Sequence, residues 1–241
     1  ALPIYARHSC LLSLMSSLFG SDSDSDSEAH CTPRDPLVAR AGLPAVAGLS
    51  VLKNAIPAEL QADLALAAAT LFTGHTNQVM LFDSASHPTL PDFLDPLLAF
   101  LPSILPPPLR RSFADASTPR QIIVNLYRPG EGITPHIDLP DRYADLIVGV
   151  SLVSAAVMEF SREGEAHAVL LRPGDCYVLH GEARYGWEHS IPARLVDPVE
   201  NDEGELVQLK RRTRISITFR RMKAGADIVG GEQRELDRPG P

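Results

Sequence analysis

"RTRISITFR", Arg212–Arg220, is the stretch on which the reading of the chain turns. On the two-residue period of a strand, Ile215, Ile217 and Phe219 share one face, while Arg214, Ser216, Thr218 and Arg220 share the other. The apolar face must pack on a core. The polar face then either looks out at water, the ordinary state of a half-buried antiparallel strand, or lines the hollow of a barrel. Inside a hollow, two guanidiniums require an anion, because a buried charge without a partner is costly.

Working outward from this strand, β character dominates from Gln121 onward. The runs "QIIVNLY", "LIVGVSL", "AAVMEF", "HAVLLRP", "DCYVLH", "RYGWEHSI" and "ELVQLKR" are separated by Gly, Pro and Asp turns. In "RYGWEHSI" the strand period puts Tyr185, Trp187 and His189 on one face. The acidic "LVDPVENDEGE", Leu195–Glu205, reads as a surface hairpin loop. Ahead of the strands, "PAELQADLALAAATLF" predicts a helix opening at Pro57, and "LPDFLDPLLAFLPSIL" a second one, broken at Pro96 and ended by Pro106, Pro107 and Pro108. Helices first and closely spaced strands afterwards predict an α+β, mainly β fold: an antiparallel barrel or sandwich with helices packed on one side.

At 241 residues the chain has room for one substantial domain and a tail. A net charge of -8, from 22 basic and 30 acidic residues, excludes a protein that clings unspecifically to phosphate backbones, so any nucleic-acid contact has to be local. Cys10, Cys31 and Cys176 have no metal-type spacing and are odd in number, which predicts a reducing compartment without disulfides. There is no apolar run of bilayer length and no Asn-x-Ser/Thr acceptor; the expectation is an intracellular monomer of the cytoplasm and/or nucleus, with no membrane partner. "HSCLLSLMSSLF" near the start reads as a short amphipathic or targeting segment, its single Arg7 weighing against a transit peptide. "GSDSDSDSEAH", Gly20–His30, repels itself and buries nothing, so it reads as disordered. The expected division is a disordered acidic segment at 1–44, a folded domain at 45–225 and a flexible tail at 226–241.

The chemistry starts in "GEGITPHIDLP". His136 and Asp138 are two apart, so on an extended chain their side chains leave on one side and converge. They supply two corners of the two-His, one-carboxylate set that holds Fe(2+) with open positions for a co-substrate and O2. The third corner must come from a distant strand, with His167, His180 and His189 as candidates. His189 is favoured, since His180 ends a strand beside Gly181 and His167 lies in a charged turn. A ferrous ion with open sites suits 2-oxoglutarate, whose far carboxylate needs a buried cation, best a bidentate Arg. Arg214 is the choice, with Ser216 and Thr218 along the same wall and Arg220 nearer the metal. Asn125 and Tyr127 in "VNLY" share a face and form a second lining.

Asn125-x-Tyr127, His136-x-Asp138, His189 and Arg214-x-Ser216-x-Thr218-x-Arg220, in this order and spacing, resemble the AlkB family of Fe(II)- and 2-oxoglutarate-dependent dioxygenases over about residues 75 to 222. "GEGITPHID", "AAVMEF" and "GEARYGWEHSI" are most similar to the eukaryotic branch that includes the tRNA wobble-uridine hydroxylase. The resemblance implies a double-stranded β-helix of jelly-roll type. It implies iron on His136, Asp138 and His189, and 2-oxoglutarate on Asn125, Tyr127, Arg214 and Arg220, with Ser216 and Thr218 beside them. The implied reaction turns 2-oxoglutarate and O2 into succinate and CO2 and hydroxylates a substrate C–H; on an N-methyl group the product collapses to formaldehyde and the free amine. The implied substrate is a methylated or otherwise modified base in single-stranded DNA or RNA, tRNA included. A substrate-gripping lid is expected in "GHTNQVMLFDSASHPTLPDF". Two rivals are a protein side chain as substrate and a non-catalytic barrel acting as a scaffold.

Overall fold

A computed structural model describes residues 36–83, 90–115 and 119–226. Residues 1–35 of the segment expected to be disordered at 1–44, residues 227–241 of the tail expected at 226–241, Cys10, Cys31 and part of the expected lid lie outside the described residues.

The strand read first, β12 (Arg214–Met222), sits inside a six-stranded sheet between β3 (Arg120–Tyr127) and β5 (Tyr143–Leu152). Arg214 stands opposite Tyr127, Ser216 opposite both Asn125 and Ser151, and Thr218 opposite Gly149. Beyond β5 come β8 (Cys176–Leu179) and β1 (Leu49–Leu52), and beyond β3 comes β2 (Gln78–Asp83). A second sheet runs β4 (Ile133–His136), β9 (Glu188–Ile191), β6 (Ala156–Arg162), β7 (Glu165–Leu171), and β10 (Val196–Glu200) forms a ribbon with β11 (Leu206–Lys210).

The two faces of the large sheet bury against different things. Ile215, Ile217 and Phe219 join Ile122, Val124, Val148 and Val150 in a layer against helices α1 (Ala58–Ala69), α2 (Asp95–Ile104) and α3 (Pro107–Ala114), through residues such as Leu64, Leu97, Leu101 and Phe113. On the other face Ile147, Tyr177 and Leu179 meet Met158, Phe160, Leu171 and Trp187 across the sheets. The polar face of β12 therefore points between the sheets, where Arg214, Ser216 and Thr218 are buried. This is the double-stranded β-helix, with its helices on one side.

Gly149 shows how tight this interior is. A Cβ there would overlap the Tyr177 ring, whose hydroxyl meets Thr218 Oγ1 at 3.3 Å. Gly149→Ala should destabilise the protein by about 1–3 kcal/mol, the usual result of overpacking, and thermal melting reads it. Melting at the wild-type temperature would show that Tyr177 moves aside freely.

Several local expectations are corrected. Pro96 lies in the first turn of α2 and opens that helix instead of breaking it, since a proline there gives up only an N–H without an intrahelical partner. The prolines at 106–108 likewise end α2 and start α3, whose last carbonyls, Ser112 O and Phe113 O, accept hydrogen bonds from Arg221 Nε (3.1 Å) and Nη2 (2.7 Å). "RYGWEHSI" is not one strand: Gly181–Tyr185 is a short helix, α4, so Tyr185 is exposed while Trp187 is buried. Gly181 N–H donating to Asp145 Oδ1 at 2.6 Å and Ala183 N–H donating to Ala47 O at 2.9 Å fasten that helix.

The acidic loop holds a buried group. Asp197 on β10 has 0% exposure and accepts from Arg211 (2.7 and 2.8 Å), Arg194 (2.6 Å) and the Val157 amide (2.9 Å), which hold its carboxyl below the usual range against the opposing effect of burial. Folded structure also begins before Ala45: Ala39 N–H donates to Pro198 O at 3.1 Å and its carbonyl accepts from Glu200 at 2.9 Å. Cys176 is a free, buried thiol pushed up to about 12 by burial and by Asp175, so it packs as a small apolar residue. No helix among the described residues is long and apolar enough to cross a membrane.

Candidate active site

His136 and His189 are directly paired across β4 and β9, with ring centroids 4.4 Å apart. His189 Nε2 is 3.8 Å from Asp138 Oδ2. His136 Nδ1 lies 2.8 Å from Thr134 O; a carbonyl only accepts, so Nδ1 carries the proton and Nε2 keeps its lone pair. Asp138 is buried, with Oδ1 ion-paired to Arg220 Nη2 at 2.5 Å and Oδ2 without a hydrogen-bond partner. The side chains adjoin in a chain, His136 beside His189 and His189 beside Asp138; as they lie, no group of three His, Cys, Asp or Glu among the described residues is drawn together closely enough to hold a metal ion.

Burial lowers the His189 pKa from 6.5 to about 4, the opposing pull of Asp138 being smaller, with His136, Arg220 and Arg184 adding to the lowering. The ring is therefore neutral at pH 7, the form a metal ligand needs. Because the folded value lies below the unfolded one, this contribution to stability is fully present above pH 6.5 and falls away as pH drops toward 4. Metal-free protein should lose melting temperature across that window, and His189→Gln should lose less of it. An identical pH profile in the variant would show that His189 contributes nothing to it.

Farther along the same wall, Arg214 is 2% exposed. Its Nε donates to Ser151 Oγ at 3.0 Å, its guanidinium carbon lies 5.5 Å from the centre of the Tyr127 ring, and Nη2 has no partner. Desolvation by burial pulls its pKa down, against which Tyr127 and Tyr177 act. Among the described residues no carboxylate pairs with it. Burial raises the Tyr127 and Tyr177 hydroxyls, against which Arg214 and the neighbouring hydroxyls of Ser216 and Thr218 act, so both are neutral. Asn125 Oδ1 accepts from Gln78 at 2.7 Å. Arg220 reaches Gln121 Oε1 at 3.3 Å as well as Asp138.

The expected residues thus gather between the sheets: His136, Asp138 and His189 at one end, Arg214 with Tyr127 at the other, Ser216, Thr218 and Arg220 along β12 between them. Sequence reasoning passed over Tyr177, Ser151 and Arg184. Tyr177 stands where a residue larger than glycine at 149 would not allow it. Ser151 could have been found from the two-residue period of its strand, which puts it on the same face as Gly149; it stands opposite Ser216 and its hydroxyl reaches Arg214. His167 and His180 stay away from this group, His167 bonding Glu165 at 2.8 Å and His180 preceding α4.

A family model described as the 2OG-Fe(II) oxygenase superfamily matches residues 48–220. The chain belongs to that superfamily, whose members use Fe(II), 2-oxoglutarate and O2. Within it the chain is AlkB-like and related to the ALKBH8 branch. It is 43% identical over 105 residues to Uncharacterized protein L905 of Acanthamoeba polyphaga mimivirus, covering 42% of this chain and 48% of that one. It is 36% identical over 117 residues to tRNA (carboxymethyluridine(34)-5-O)-methyltransferase alkbh8 of Xenopus tropicalis, covering 44% of this chain and 19% of that one. The chain therefore spans less than half the length of either relative. In fold it is similar to a prolyl-4-hydroxylase of Pseudomonas putida, with a TM-score of 0.50 at 16% identity over 74% of this chain and 94% of that one.

The residues present fit the superfamily's groups. Two imidazoles and a carboxylate with a free oxygen make a donor set suited to ferrous iron, and a buried guanidinium with an unpartnered Nη2 suits a carboxylate.

Proposed function

We propose that the chain is an Fe(II)- and 2-oxoglutarate-dependent oxygenase that hydroxylates or oxidatively demethylates a modified base in single-stranded nucleic acid, tRNA included. The observation that carries the reading is Arg214, a buried cation with an unpartnered Nη2 on the same wall as the His136, Asp138 and His189 cluster. In this reading His136 Nε2, Asp138 Oδ2 and His189 Nε2 hold the iron, and Arg214 binds the far carboxylate of 2-oxoglutarate. Tyr127, Ser216, Thr218 and Asn125 complete the wall.

Bound iron would let O2 oxidise two partners by two electrons each, with one oxygen atom going to 2-oxoglutarate, which leaves as succinate and CO2, and the other to the substrate C–H as a hydroxyl. The chain's own residues bind and orient. Thr134 O fixes the His136 tautomer, so that its lone pair is presented at Nε2. Arg220 holds Oδ1 of Asp138, which orients the carboxylate and leaves Oδ2 available. Met158, Phe160 and Trp187 close the space between the sheets and exclude water, which strengthens each ionic contact inside. The nucleic-acid class draws support from the Xenopus tropicalis relative, which is by name a tRNA methyltransferase.

The test is succinate release with added Fe(II), compared without substrate and with methylated single-stranded oligonucleotides, bulk tRNA or methylated peptides, using Asp138→Asn as blank. Stimulation in a nucleic-acid arm is the expected result. Stimulation by peptides alone would replace the substrate class, and no metal-dependent succinate in any arm would leave the scaffold reading.

A further inference from the structure

Arg184 is a long cationic side chain at 2% exposure, and no acid is ion-paired with it among the described residues. Its hydrogen bonds go to the main chain on either side of one turn. Nη1 donates to Asp138 O at 2.8 Å, Nη2 to Leu139 O and Tyr143 O at 3.3 Å each, and Nε to Ala144 O at 3.4 Å. The turn is also closed on itself, with Arg142 and Tyr143 N–H groups both donating to Leu139 O, at 3.2 and 3.1 Å. One guanidinium thus clasps both ends of the loop that leaves His136 and Asp138 and enters β5.

The other end of Arg184 matters as much. It stands on α4, in the segment that turns through Gly186 into β9 and His189, and α4 itself is tied to β5 by Asp145. A fork of donors at fixed geometry is what arginine offers over lysine. Burial pulls its pKa down, with Asp138 the first of the groups opposing this, so desolvation is the main cost of keeping the group here. A guanidinium kept in place against that cost does more than fill space: without it four carbonyls lose a donor and the Asp138 main chain is free to shift.

We propose that Arg184 is a positioning residue for the metal centre, locking the Asp138 main chain to the segment that carries His189, so that the carboxylate and the imidazole keep their separation. The proposal rests on the assignment of Asp138 and His189 as metal ligands. Arg220 then restrains the Asp138 carboxylate from within, and Arg184 restrains its backbone from outside.

The experiment measures Mn(II) affinity by the electron paramagnetic resonance of free Mn(II), at saturating 2-oxoglutarate, in wild type, Arg184→Met, Arg184→Lys and Asp138→Asn, with metal-free melting recorded for each. Outer-shell partners typically contribute about 10–100-fold to metal affinity. Arg184→Met should therefore weaken Mn(II) binding by about that factor, and Arg184→Lys, which keeps the charge but not the fork, should fall between it and wild type. A Met variant that melts earlier yet binds Mn(II) as wild type does would overturn the proposal and make Arg184 a structural strut. Should the Met variant fail to fold, the Lys variant decides: weakened affinity supports the proposal and wild-type affinity overturns it. Wild type that does not bind Mn(II) at all overturns the ligand assignment, and the proposal with it, which is a different result from equal binding by wild type and variant.

Discussion

Arg214→Met should raise the 2-oxoglutarate concentration required for half-maximal turnover by about 100-fold or more. Removing one partner from a buried ion pair costs about 3–5 kcal/mol, and each 1.4 kcal/mol is a factor of ten. Met replaces the aliphatic stem of Arg and removes the guanidinium that reaches Ser151 and Tyr127, and its charge with it. The stability of the ligand-free protein should move the other way or stay level. There the guanidinium has an unpartnered Nη2 and no carboxylate, so its replacement relieves desolvation instead of breaking a pair. Titrating 2-oxoglutarate against succinate formation, and melting the ligand-free variant, gives both numbers. An unchanged requirement would mean that the co-substrate lies elsewhere, whatever the melting shows.

Asp138→Asn should bring metal-dependent succinate formation down by more than about 100-fold, beyond the upper end of what outer-shell substitutions remove. The amide keeps a carbonyl oxygen for Arg220 and nearly the same volume, so the barrel should fold and a circular dichroism spectrum should match wild type. What it loses is the negative charge that Arg220 faces and that the proposed ferrous site would draw on. His136→Ala offers an independent check, because His136 is only half-buried at the edge of β4 and its removal leaves no buried group unpaired. Turnover near wild type in either variant would place the metal elsewhere.

Much of this site was legible in the sequence, for a definable reason. The wall of β12 is a period-two pattern, and a strand's period survives any packing, so assigning Ile215, Ile217 and Phe219 to one side fixed the other side as well. His136 and Asp138 were legible because two residues of extended chain are a local distance. Arg184 was not, since its partners are backbone carbonyls, which carry no sequence signature, and it sits on a helix of five residues where a strand was expected. Asp197 was hidden for a similar reason: among acids a buried acid looks like the rest, and only the fold brings Arg194 and Arg211 to it. The third helix was missed because a run of prolines ends one helix and can equally begin the next.

The position of β12 has a consequence for the life of the protein in a cell. Its partners, β3 and β5, come from segments far upstream, so the middle of the large sheet closes only when distant parts of the chain meet. That same strand carries the cation on which 2-oxoglutarate is proposed to bind. A ligand held by the folded state alone adds RT ln(1 + [L]/Kd) to stability, about 2.7 kcal/mol at a hundredfold excess over Kd. The folded fraction, and with it resistance to proteolysis, should then rise and fall with the supply of a central metabolite: starvation for 2-oxoglutarate would shorten the protein's lifetime as well as slow its turnover.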